Sequence, residues 1–139
     1  MNRKQRLIEG LIVFLSKRLQ IGEIQYSIQG KNEFTSNSIS AIFVPELNVI
    51  VFNREWLKKA RVEDIVYTIA HEMRHVYQYL LIINRKSRCE ISKSEIERWK
   101  IEFENYTMPN DIDCTEYIKQ EIEVDAHSYA VRFMQSRGF

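Results

Sequence analysis

Residues 62–83 constrain this chain more than any other stretch. Ile65, Val66, Ile69, Ala70, Met73, Val76, Tyr77, Leu80 and Leu81 recur there at helical spacing and form a wide apolar face. This pattern predicts the longest helix of the chain. Into it the sequence sets His71, Glu72 and His75. Two imidazoles and a carboxylate beside Ala70 and Met73 are costly to bury unless they have partners.

His71-Glu72-Met73-Arg74-His75 reads H-E-x-x-H inside a helix, the context this motif needs. Residues i and i+4 lie one above the other on a helix face, so the two imidazoles can chelate one Zn²⁺ without rearrangement of a loop. Glu72 is turned about 100° from His71. It is off the ligand face but within reach of a water on the metal, as a general base must be. A structural zinc site would call for four protein ligands, often thiolates. Neither Cys89 nor Cys114 has metal-ligand spacing.

The rest of the chain predicts an α+β fold in one domain spanning residues 1–139. Leu7, Ile8, Leu11, Phe14, Leu15 and Leu19 form an amphipathic first helix. Lys17 and Arg18 break its apolar run, which argues against a signal peptide. Residues 23–28, 39–44 and 49–52 read as three short strands with tight connections, hence a small antiparallel meander. Residues 31–38 and 108–111 are turn-like. A short helix over 55–59 is capped by Asn53, and another, capped by Ser92 or Ser94, runs through Trp99 to Phe103. From about Thr115 a last helix lines up Ile118, Ile122, Ala126, Tyr129, Ala130 and Phe133 and ends near Gly138.

A formal net charge of +1 and the lack of a recognisable reading helix argue against nucleic-acid binding. No stretch is long and apolar enough to span a membrane. The two cysteines read as free thiols in a reducing compartment, so a cytoplasmic protein is expected.

The metzincin continuation is missing after His75, because the chain runs Val76-Tyr77-Gln78-Tyr79-Leu80. The remaining common arrangement takes a Glu from a later helix as third metal ligand. There the chain reads Glu121-Ile-Glu123-Val-Asp125-Ala-His127-Ser-Tyr129-Ala130. H-E-x-x-H followed by E-x-x-A-x-x-[FY]-A, matched at Glu123, Ala126, Tyr129 and Ala130, resembles the small gluzincin peptidases. The likeness is to the ImmA/IrrE type and related short proteins of phages and mobile elements. It implies a zincin-like fold, a small sheet packed against the active-site helix and further helices, and one Zn²⁺ per chain. It also implies Glu123 as third ligand and a residue four positions on that steadies a ligand histidine. In this chain that residue is His127, where the family has Asn or Asp. A second alignment sets Glu121 and Asp125 on the Glu-x-x-x-Asp form of the thermolysin-like gluzincins. Glu121 and Glu123 stand about 200° apart on a helix, so only one of them can reach the metal. The apolar periodicity through Ala130 and Met134 favours Glu123. Asp125 and His127 remain alternatives as partners of a ligand histidine.

The expected function is a zinc metalloendopeptidase acting on a peptide or protein; the resemblance implies a regulatory protein of the same mobile element as its substrate. The alternative is a catalytically inactive binding or regulatory module on the same fold. A substrate would add to a sheet edge, at 39–44 or 49–52. Tyr77, Tyr79, Tyr106, Tyr129 and Arg74 are available by type as transition-state stabilisers. The charged segment 85–115 is a candidate cover for the cleft. Oligomeric state is not legible in the sequence.

Overall fold

The computed structural model describes residues 2–30, 34, 38–84, 91–106 and 115–139. It is an α+β fold built around the long helix predicted over 62–83. In chain order the elements are α1 (Arg3–Leu19), β1 (Gln25–Gln29), β2 (Ala41–Val44), β3 (Val49–Asn53), α2 (Arg54–Lys59), α3 (Val62–Asn84), α4 (Lys93–Glu104), α5 (Thr115–Lys119) and α6 (Glu121–Ser136). Among the described residues no helix is long and apolar enough to cross a membrane.

Helix α3 packs against α1, α4, α6 and β2. Its predicted apolar face is the core: Ile65, Ile69, Ala70, Met73 and Val76 are each almost wholly buried. Full burial of such a side chain contributes about 1.5–3 kcal/mol. Helix α1 starts on a capping box, in which Asn2 accepts from the Gln5 amide and Gln5 accepts from that of Asn2. It turns Ile8, Ile12 and Leu15 onto the same core. A second, smaller cluster of Leu81, Trp99 and Ile122 joins the end of α3 to α4 and the start of α6. Trp99 is thus a core residue. The cysteines and the rest of the proposed cover, 85–90 and 107–114, lie outside the described residues, as does most of the turn 31–38 and all of 108–111.

The sheet departs from the expected meander. Its order is β1-β3-β2, with β1 parallel and β2 antiparallel to β3. Burial explains the order. In β3, Ile50, Phe52 and Asn53 are fully covered, whereas β1 and the rest of β2 are only partly so. The most buried strand takes the centre. The hairpin through Pro45–Leu47, closed by Asn48 at a positive φ of 53°, brings it back beside β2. Segment 49–52 is therefore paired on both sides and offers no edge, while β2 is an edge strand. The buried Asn53 ties this edge down. Its side chain caps α2 at the Glu55 amide and donates to the Ile39 carbonyl at 2.9 Å.

The single last helix expected from Thr115 is two helices. Gln120 is extended (φ −60°, ψ 135°), which breaks the chain between α5 and α6. The Gln120 side chain does not cap α6. Glu102 on α4 does so instead, accepting from the Glu121 and Ile122 amides at 2.7 and 2.8 Å. A carboxylate at a helix N-terminus satisfies orphan amides and opposes the positive end of the helix dipole. Arg98, one turn earlier on α4, holds Glu121 through both carboxylate oxygens. Replacing Glu102 with Ala is expected to cost about 1–2 kcal/mol of stability, as loss of a helix cap does. Urea denaturation of Glu102→Ala beside Glu102→Gln measures it, with the Gln variant expected to lie between Ala and wild type.

Candidate metal centre

On α3 the His71 and His75 rings stand one turn apart, with centroids 4.7 Å apart and planes at 86°. Their donor atoms and a Glu72 oxygen lie within 4.8 Å of one another. The carboxylate that joins the two imidazoles is Glu123 of α6, which is 3% exposed. Its Oε1 is 3.2 Å from His71 Nε2, and its Oε2 is 3.0 Å from His75 Nε2. Glu72 meets the other side of His71, with Oε1 3.3 Å from Nδ1. Helix periodicity accounts for the choice between the two glutamates. Glu123 lies with Ile122 and Ala126 on the buried side of α6, whereas Glu121 is bound to Arg98 at the surface with 47% of its side chain exposed.

His75 is oriented by a residue that the sequence reading passed over. Gln78 is fully buried and its amide nitrogen donates to the Ile122 carbonyl at 3.0 Å and to Asp125 at 2.8 Å. Its oxygen, 2.8 Å from His75 Nδ1, must accept. His75 therefore carries a proton on Nδ1 and turns Nε2 towards Glu123. Asp125 supports this from behind, held by Arg74 at 2.7 and 3.1 Å. Of the two partners considered for a ligand histidine, Asp125 acts through Gln78. His127 bonds Tyr67 instead, its Nδ1 2.6 Å from the Tyr67 hydroxyl. A buried Gln three residues after His75 on an apolar helix was the available signal for Gln78.

The aromatic and basic residues proposed as stabilisers divide. Arg74 is committed to Asp125 and stacks on Tyr77 and Tyr129. Tyr79 packs edgewise on Phe43. Tyr106 alone of that set reaches the centre, donating to Glu123 Oε2 at 2.9 Å. Tyr117 of α5, not singled out in the sequence, stands near enough to feel the Glu123 charge and lines the same cleft. Burial, and then the Glu123 charge, push both phenols above their ordinary range, so they remain hydrogen donors.

Burial opposes charge on both imidazoles, but Glu123 outweighs it. His71, aided by Glu72, is pushed up to about 10, and His75 is raised as well. For Glu123 burial works upward, and the hydrogen bonds from the two histidines override it, holding the carboxyl well below the usual carboxylate range. The buried carboxylate and the protonated imidazoles thus hold each other in their charged forms.

The donor set fits a metal ion. Ligands about 2.0–2.1 Å from a tetrahedral zinc lie about 3.3 Å from one another, close to the 3.0–3.2 Å between Glu123 and each Nε2. Two imidazoles and a carboxylate suit zinc better than harder cations. The centre opens on a cleft of about 870 Å³, with His71, Glu72 and Glu123 in its lining beside residues 38–43 at the β2 edge. Such a volume accommodates a small ligand or a stretch of peptide. Comparison of the chain with protein-family models, with curated proteins and with solved structures gives no match.

These shifts set a pH profile for the metal-free chain. A carboxylate held below its ordinary 4.5 stabilises the fold above that pH, and the gain is lost as pH falls through its folded value. An imidazole held above 6.5 stabilises fully below that pH, and the gain is lost as pH rises towards about 10. The contribution of the cluster is thus expected to peak between 4.5 and 6.5. Denaturation across the pH range should show Glu123→Gln flattening both limbs. A mutant profile parallel to wild type would refute this assignment.

Proposed function

We propose that the protein is a zinc-dependent peptidase, with His71, His75 and Glu123 holding one zinc ion and Glu72 as general base. One observation carries the reading. The Glu123 carboxylate joins the Nε2 atoms of both motif histidines at the floor of a cleft that Glu72 also lines. A zinc ion held there supplies the positive charge that acidifies water and polarises a scissile carbonyl. Glu72 takes a proton from the water whose oxygen bonds to the carbonyl carbon. It then returns that proton to the amine nitrogen as the C–N bond breaks. His75, fixed by Gln78 and Asp125, keeps its Nε2 aimed at the centre. The substrate is a peptide lying along the β2 edge. A cytoplasmic setting goes with this reading, given two cysteines without the pattern of a disulfide framework.

Metal analysis of wild type, Glu121→Ala and Glu123→Ala is expected to give near-stoichiometric zinc in the first two and little in the third. Gln78→Leu should weaken zinc binding by about 10–100-fold. Glu72→Gln should keep zinc and lower peptide cleavage by about 10²–10⁴-fold. Wild type that takes up no zinc refutes the reading. Zinc without Glu72-dependent cleavage would leave a binding module on the same frame.

A further inference from the structure

Tyr67 and His71 are one helical turn apart on α3, and Glu123 and His127 are one turn apart on α6. His71 meets Glu123 and Tyr67 meets His127, so the helices carry two parallel rungs. The second rung lies one turn beyond the metal centre. Tyr67 also stacks on His71, with centroids 5.8 Å apart and planes at 22°. Both Tyr67 and His127 line the same cleft as Glu72. A phenol is a far stronger acid than a neutral imidazole N–H. The Tyr67 hydroxyl therefore donates and His127 Nδ1 accepts, which leaves the ring proton on Nε2. Among the described residues, Tyr67 is the only hydrogen-bond partner of the His127 side chain. The Nε2–H is left for an occupant of the cleft.

We propose that Tyr67 fixes His127 as a hydrogen-bond donor to the substrate carbonyl oxygen, one helical turn from the proposed zinc ligand Glu123. The proposal rests on the peptidase reading. No proton is transferred. The hydrogen bond from Nε2–H to that oxygen strengthens as charge develops there. His127 is the group that touches substrate, and Tyr67 is a positioning residue acting through it.

Four variants test the pair, with zinc content expected to be unchanged in all. His127→Ala should lower kcat by about 10²-fold, the effect of removing one such donor, with little change in KM. His127→Gln, which keeps an N–H, should recover part of the loss. Tyr67→Phe should cost less than His127→Ala. The double variant Tyr67→Phe/His127→Ala should be no worse than His127→Ala alone. Additive losses, or loss of zinc from either single variant, would overturn the proposal. Nitrogen-15 NMR of His127 reads the neutral ring without any assay of activity. Nε2–H is expected in wild type and a tautomer mixture in Tyr67→Phe, while Nδ1–H in wild type overturns the assignment. A chain that loads zinc yet cleaves no peptide refutes the peptidase reading, and the carbonyl contact falls with it. The tautomer result then still decides whether Tyr67 fixes His127.

Discussion

A carboxylate buried between two imidazoles is the constraint around which the structure is arranged. Glu123 is almost wholly inside, and leaving such an anion unpaired would cost several kcal/mol. Its partners lie on another helix, 48 residues earlier in the case of His75. The α3–α6 interface can therefore close only in the register that sets Glu123 against His71 and His75. A shift of one residue along α6 would turn the carboxylate about 100° away. The cap that Glu102 places on α6 acts on the same register, since it fixes where the helix begins, two residues before Glu123.

The polar contacts on either side of Glu123 follow from that register. Tyr67 reaches His127, Arg74 reaches Asp125, and Gln78 reaches the Ile122 carbonyl and Asp125. Of these, the bond from Gln78 to Ile122 is buried, those to Asp125 are partly buried, and that of Tyr67 to His127 is exposed. Interior hydrogen bonds of this kind are strong when complete and costly when broken. Gln78 shows the consequence. Its three bonds use both amide hydrogens and the oxygen, which leaves His75 one orientation.

What the sequence revealed and what it hid divide along the same line. His71, Glu72 and His75 were legible because four-residue spacing on a helix is a local geometric fact. Glu123 was separated from Glu121 by the period of its own helix, and of the two it is Glu123 that lies buried beside the histidines. Gln78 and Tyr67 were not legible as site residues. What each contributes is a contact with a remote element, and no local pattern marks it. The parallel pairing of β1 was hidden for a similar reason, because strand order depends on which strand the helices bury. The break at Gln120 was hidden because the cap of α6 comes from α4.

The two faces of the centre differ in a way that bears on what a metal there would do. His75 and Gln78 form the closed side, since neither lines the cleft. His71, Glu72 and Glu123 face the cleft. A structural ion is enclosed by protein donors on every side, whereas a catalytic ion has protein on one side and room for water and substrate on the other. Rigidity is placed behind the donors and space in front of them. Glu72 is placed accordingly. It stands off the edge shared by the Nε2 atoms and Glu123, on the Nδ1 side of His71 and in the wall of the cleft. A carboxylate serving as a fourth ligand would be expected to turn towards that shared edge. In the proposed peptidase, the carboxylate that handles protons has to stay beside that edge and line the cleft, as Glu72 does.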